Sequence, residues 1–99
     1  MTGEIQETTL TLPPSLKSEA NKELWTKLDG LKGQHVIIDG SEVERLGGEC
    51  LETLIAARRH WEKSELRFEI SNASTDFIKD LEILGARNLL PLSEEKGDA

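Results

Sequence analysis

Between residues 5 and 12, Leu10 and Leu12 fall on one side of an extended chain and Thr9 and Thr11 on the other, which predicts a strand with one wet face. Pro13 and Pro14 stop it, because neither carries an N–H for a ladder. The apolar repeat then lengthens to that of a helix: Leu24, Leu28 and Leu31 form one stripe, with Ala20 and Trp25 at its edge. Ser18 is its candidate N-cap, and Gly30 and Gly33 bracket a frayed end.

His35-Val36-Ile37-Ile38-Asp39 is a β-branched run between glycines, the pattern of a strand buried on both faces at the centre of a parallel sheet. A second helix is predicted from Gly48 to about Lys63, with Leu51, Leu54, Ile55 and Arg58 on one stripe and Glu49, Glu52 and Thr53 turned away. Leu66 to Ile70 alternates as a strand. Ser74 then caps a third helix with Asp76 in its first turn, Phe77, Ile78, Leu81 and Leu84 along its stripe, and Gly85 as a left-handed C-cap. Leu89, Leu90 and Leu92 around Pro91 add a short edge strand or an apolar tail, and residues 93–99 are expected to fray.

Strand and helix alternate three times within 99 residues, so the expectation is one α/β domain, core about 5–92. Its mixed, mostly parallel sheet would be covered by helices chiefly on one face. Leu, Ile, Val and Phe make up about a quarter of the chain, above the roughly one-fifth share below which highly charged chains stay disordered.

Twelve Lys and Arg against nineteen Asp and Glu give a net charge of −7. Phosphate backbones and anionic headgroups are repelled by such a chain, which argues against nucleic acid and membrane surfaces as partners. The start carries no basic and apolar leader, and no apolar run reaches the roughly 20 residues of a bilayer span. A cytoplasmic protein without membrane insertion is expected. One cysteine, Cys50, forms no intrachain disulfide and supports no cysteine-based zinc site.

His35 and His60 lack a second ligand at helical spacing, so neither a metal nor any other cofactor is assigned. Glu49 raises the neighbouring Cys50 thiol while a helix N-terminus pulls it down, and a small packed cysteine is the simpler reading. Gly47-Gly48 precedes a helix without Walker or dinucleotide spacing. Trp25 and Trp61, the latter three residues from Arg58, read as core or rim packing. Glu42, Glu44, Glu49 and Glu52 crowd one strand-to-helix corner, either a solvated face or a recognition surface.

The segment from Val36 to Arg59 resembles the central motif of STAS domains, the sulfate-transporter and anti-sigma-factor-antagonist family. In that motif an apolar strand ends in Asp, here Asp39, and after a short loop Asp-Ser-Ser/Thr-Gly-Leu opens an apolar helix. Residues Leu10 to Leu31 are similar to the family's first strand and helix, and Asn72 to Leu84 to its Asn-x-Ser and following helix, so the likeness spans about 5–90. The family's Asp-Ser-Ser-Gly falls on Gly47, Gly48, Glu49 and Cys50, replacing the acidic residue and both hydroxyls. No Ser or Thr lies between Glu42 and Glu52, so a register error of one residue does not restore an acceptor. Glu49 then places a fixed charge where a phosphoserine would sit, or it only stabilises its helix by about 0.3–1 kcal/mol.

The resemblance implies a non-catalytic STAS module of a bacterial regulatory system that binds a kinase-like, anti-sigma or chemotaxis protein. The expected surface is Ser41, Glu42, Glu44, Gly47, Gly48, Glu49, Cys50, Glu52 and Thr53. The alternative is a structural STAS subunit on the ATPase of an ABC lipid-transport complex, which needs a large apolar interface. The acidic corner favours the first, because charge is depleted from obligate interface cores. No base and nucleophile pair with an orienting group is visible, so no enzyme is expected. A homodimer is left open.

Overall fold

The computed structural model describes residues 4–93. In chain order its elements are β1 (Glu7–Thr11), β2 (Ser15–Leu16), α1 (Asn21–Gly30), β3 (His35–Asp39), β4 (Arg45–Leu46), α2 (Gly48–Lys63), β5 (Phe68–Ser71) and α3 (Thr75–Ile83). Short 3₁₀ turns occupy Ser18–Ala20 and Arg87–Leu89.

The main sheet has the order β1-β3-β5, and β2 pairs separately with β4. Every pairing among the described residues is parallel. The register aligns Thr8, Val36 and Phe68 across the sheet, and likewise Leu10, Ile38 and Ile70. This row set faces the helices: Val36, Ile38, Phe68 and Ile70 join Leu24 and Leu28 of α1, Leu54 and Trp61 of α2 and Phe77 and Leu81 of α3 in one core. On the other face Thr9 and Thr11 are exposed and Ile37 and Glu69 half-buried. The central strand is therefore sealed on one side only, correcting the expectation of two buried faces; the helices all gather on the opposite layer.

Sequence boundaries shift where packing, not pattern, decides them. Ser18 opens a 3₁₀ turn instead of capping α1, whose N-cap is Ala20 with no side-chain bond. Thr53 is not turned away: it is 7% exposed, and its hydroxyl donates to Asn21 Oδ1 at 2.6 Å, because α1 packs along a second side of α2. Trp61 is 1% exposed and donates Nε1–H to the Gln34 carbonyl at 2.7 Å, whereas Trp25 lies on the rim with Lys32 Nζ 5.7 Å from its ring centre. The two β2 and β4 segments lie where loops were expected.

Residues 90–93 pack as an apolar tail that makes one parallel bridge beside β5 and forms no edge strand. Leu90 is buried, and Ile70 bridges Leu92 in parallel. Ser93 is not frayed, since its N–H donates to the Ile70 carbonyl at 2.8 Å and its hydroxyl to Glu69 at 2.8 Å. The remainder of the expected frayed stretch, 94–99, lies outside the described residues.

Candidate functional site

The corner between β3 and α2 is built by tethers from four directions. Gly40 leaves β3 buried, donating to the Ser71 carbonyl at 2.9 Å, while Asp39 Oδ1 accepts the Ser41 N–H at 3.0 Å in a local turn. A Cβ at Gly40 would lie 2.8 Å from the Phe77 ring, so no larger residue fits that exit. Val43 is buried, and its carbonyl accepts the Ser74 hydroxyl at 2.6 Å. The same Ser74 oxygen accepts the Phe77 N–H at 3.0 Å, so the cap of α3 also holds the corner loop.

Backbone pairing fixes the rest. The Pro14 carbonyl accepts the amides of Glu44 at 2.7 Å and Arg45 at 3.1 Å, the Leu16 carbonyl accepts that of Gly47 at 2.9 Å, and Asp80 Oδ2 accepts that of Leu46 at 2.8 Å. Gly47 is the N-cap of α2 with extended backbone and no capping side chain. Gly48 has open space around it, and Glu49 stands exposed in the first turn.

Of the expected surface, Ser41, Glu42, Glu44, Gly48, Glu49 and Glu52 are exposed and Gly47 half-buried, all on one corner. Cys50 and Thr53 point inward and present no side chain there. Cys50 is fully buried, with Sγ 3.5 Å from the Lys17 carbonyl. Burial first, then the charges of Glu49 and Glu19, push its thiol above the usual cysteine range, so it is a packed cysteine and not an activated nucleophile. The Ser18–Ala20 turn before α1 packs against α2, which brings exposed Glu19 near the start of that helix as a further carboxylate. Nothing in the sequence pairs residue 19 with residue 49; only the fold does.

Ion pairs tie Lys27 to Glu23, Lys32 to Asp29, Arg58 to Glu62, Arg87 to Glu82, and Arg67 to both Glu7 and Glu69. No ion pair among the described residues involves Glu19, Glu42, Glu44, Glu49 or Glu52. The corner's own basic side chain, Arg45, is exposed beside these carboxylates. His35 accepts the Arg67 N–H through Nδ1 at 3.0 Å and His60 rests edge-on against Trp61, and no group of metal-binding side chains occurs among the described residues.

A parallel sheet backed by helices, with a tethered loop leading into a helix start, defines a STAS-type α/β module. The comparison with protein families agrees: a family model described as "Mlab, STAS domain" matches residues 2–91, and the chain belongs to that family. No curated protein matches it. No helix among the described residues is long and apolar enough to cross a membrane.

Proposed function

We propose that the chain is a non-catalytic, protein-binding STAS module of a bacterial regulatory or signalling system, working in the cytoplasm and docking through the 40–53 corner onto a kinase-like, anti-sigma or chemotaxis protein. The observation that carries this reading is the group of exposed carboxylates at Glu42, Glu44, Glu49 and Glu52, joined by Glu19, none in an ion pair among the described residues, around a loop tethered by Ser74 and Asp80. Such a surface favours a basic partner and steers its approach. The corner acts with a fixed charge: Glu49 stands in the position of the family's acceptor, and the nearest hydroxyl on α2, that of Thr53, is buried and already donated to Asn21. Ser41 lies exposed at the far end of the loop.

The test is the charge reversal Glu49→Lys. It is expected to weaken capture of the native partner at least tenfold, about 1.4 kcal/mol, while melting temperature moves little. Equal affinity of variant and parent would remove Glu49 from the interface, and phosphate found on Ser41 or Thr53 after incubation with a partner kinase would overturn the fixed-charge reading.

A second reading, a structural subunit on the ATPase of an ABC lipid-transport complex, is supported by Ile83 and Leu84, which are 73% and 43% exposed at the end of α3, the helix whose Asp80 holds β4. Obligate interfaces need such apolar area. Recovery of an ATPase with its membrane partner in a pull-down favours this reading; recovery of a histidine-kinase-like or chemotaxis protein favours the first.

A further inference from the structure

The outer edge of β1 borders an apolar groove, and the two together form a second surface that meets the acidic corner only at Glu42. The strand order places β1 at the margin of the sheet, with no described strand beyond it. The Gln6 carbonyl accepts the His35 N–H at 2.9 Å and the Leu12 N–H donates to the Asp39 carbonyl at 3.0 Å. Even-numbered residues therefore turn their backbone polar groups toward β3. Since those groups alternate along a strand, Glu7, Thr9 and Thr11 turn theirs outward, to the open side.

Edge strands of this kind are commonly blocked by proline, by a bulge or by inward charge. From Thr8 to Thr11 none of these devices is present. On the helix side of the same edge lies a groove of about 310 Å³ between β1, the Pro13-Pro14 loop and α1. Leu10, Leu12 and Leu24 contribute its apolar lining, and Glu23, Lys27 and Glu42 line it as well. Glu23 is paired with Lys27 at 3.4 Å, whereas Glu42 has no ion pair among the described residues.

We propose that this edge and groove bind an extended segment of a partner protein by strand addition to β1, with apolar side chains at alternate positions entering the groove and a Lys or Arg beside Glu42. The open N–H and C=O groups require an extended occupant, because only another strand satisfies them in series. A helix seated in the groove would leave them unanswered. Alternation follows from the pleat: every second side chain of an added strand falls on the helix side, over Leu10, and the others fall beside Thr9 and Thr11. The unpaired Glu42 selects a basic residue over an acidic one.

The probe is the acetylated, amidated peptide Lys-Thr-Val-Thr-Val-Thr-Lys, compared with one version N-methylated at both Val amides and another at the three Thr amides. Binding is read by chemical-shift changes and hydrogen exchange of backbone amides in the intact chain. The parent peptide is expected to slow exchange at Thr9 and Thr11 roughly tenfold. One methylated version should keep binding and the other lose it roughly tenfold, since only one set of amides faces β1. Thr9→Pro removes an outward donor at an edge position where proline is tolerated, and should abolish binding of the parent peptide. If that variant does not fold, the methylated pair carries the test alone. No binding of the parent peptide, or equal affinity of the two methylated versions, overturns the proposal. So does protection of Thr9 and Thr11 without peptide: dependence on protein concentration would assign the edge to a second copy, and independence to the chain's own termini.

Discussion

Asp80 Oδ2 on α3 accepts the backbone N–H of Leu46 at 2.8 Å, joining two positions 34 residues apart. β4 is two residues long and pairs only with β2, so it has few bonds of its own to keep it in place. The carboxylate supplies what the short ladder lacks, and with the Ser74 hydroxyl on Val43 it makes α3 the support on which the acidic corner rests.

Asp80→Ala leaves the Leu46 amide without its acceptor and is expected to lower stability by about 1–3 kcal/mol, the range for a stranded donor that had a charged partner. Asp80→Asn keeps an acceptor oxygen and should cost less. Urea unfolding of the two variants checks the order, and equal losses would refute a role for the hydrogen bond.

Helices α2 and α3 end in the same way with different residues. Leu66 N–H reaches the Trp61 carbonyl and Glu65 N–H that of Glu62; Ala86 and Gly85 repeat the pattern onto Leu81 and Glu82. Both are left-handed C-caps, with φ of 60° at Glu65 and 69° at Gly85. A side chain at such a position strains the backbone by about 1 kcal/mol. Glu65→Gly is therefore expected to raise the melting temperature, and Gly85→Ala to lower it; thermal unfolding followed by circular dichroism reads both signs.

Gly40→Ala would drive a methyl group into the Phe77 ring, 2.8 Å away. Overpacking of this kind costs about 1–3 kcal/mol. Phe77→Leu is destabilising by itself, but the double variant should lose less than the two single losses combined. Additive losses in that cycle would mean the ring does not set the size limit at residue 40.

Glu69 is held below the ordinary carboxylate range, first by the Ser93 hydroxyl and then by Arg67, against an opposing push from burial. A depressed folded-state value means that this stabilisation is present above the unfolded glutamate value and is lost as pH falls through the folded one. Ser93→Ala should raise the Glu69 value, seen in an NMR titration of its side chain, and flatten the acid limb of the stability curve. An unchanged titration would show that Ser93 does not hold the carboxylate.

What the sequence settled by itself is local. The period of apolar residues placed three strands and three helices, because burial of one face imposes that period directly. Ser74 as a cap and Gly85 as a left-handed terminus were legible for the same reason: each satisfies backbone groups within a turn of itself. The motif likeness along 36–59 pointed to the STAS family, which the match over 2–91 bears out.

Tertiary structure alone decided which polar residues are free. Thr53 and Glu52 are neighbours, yet one is sealed against Asn21 and the other faces solvent, because α1 covers one flank of α2 and leaves the next open. Glu19 joined the corner, Asp80 held it, and β2 met β4 by contacts across 30 or so residues of chain, for which no local period exists. Side-chain pattern reports burial against the nearest layer; the partners of a hydrogen bond or the company of a charge depend on how layers dock, and that is set only when the whole core closes.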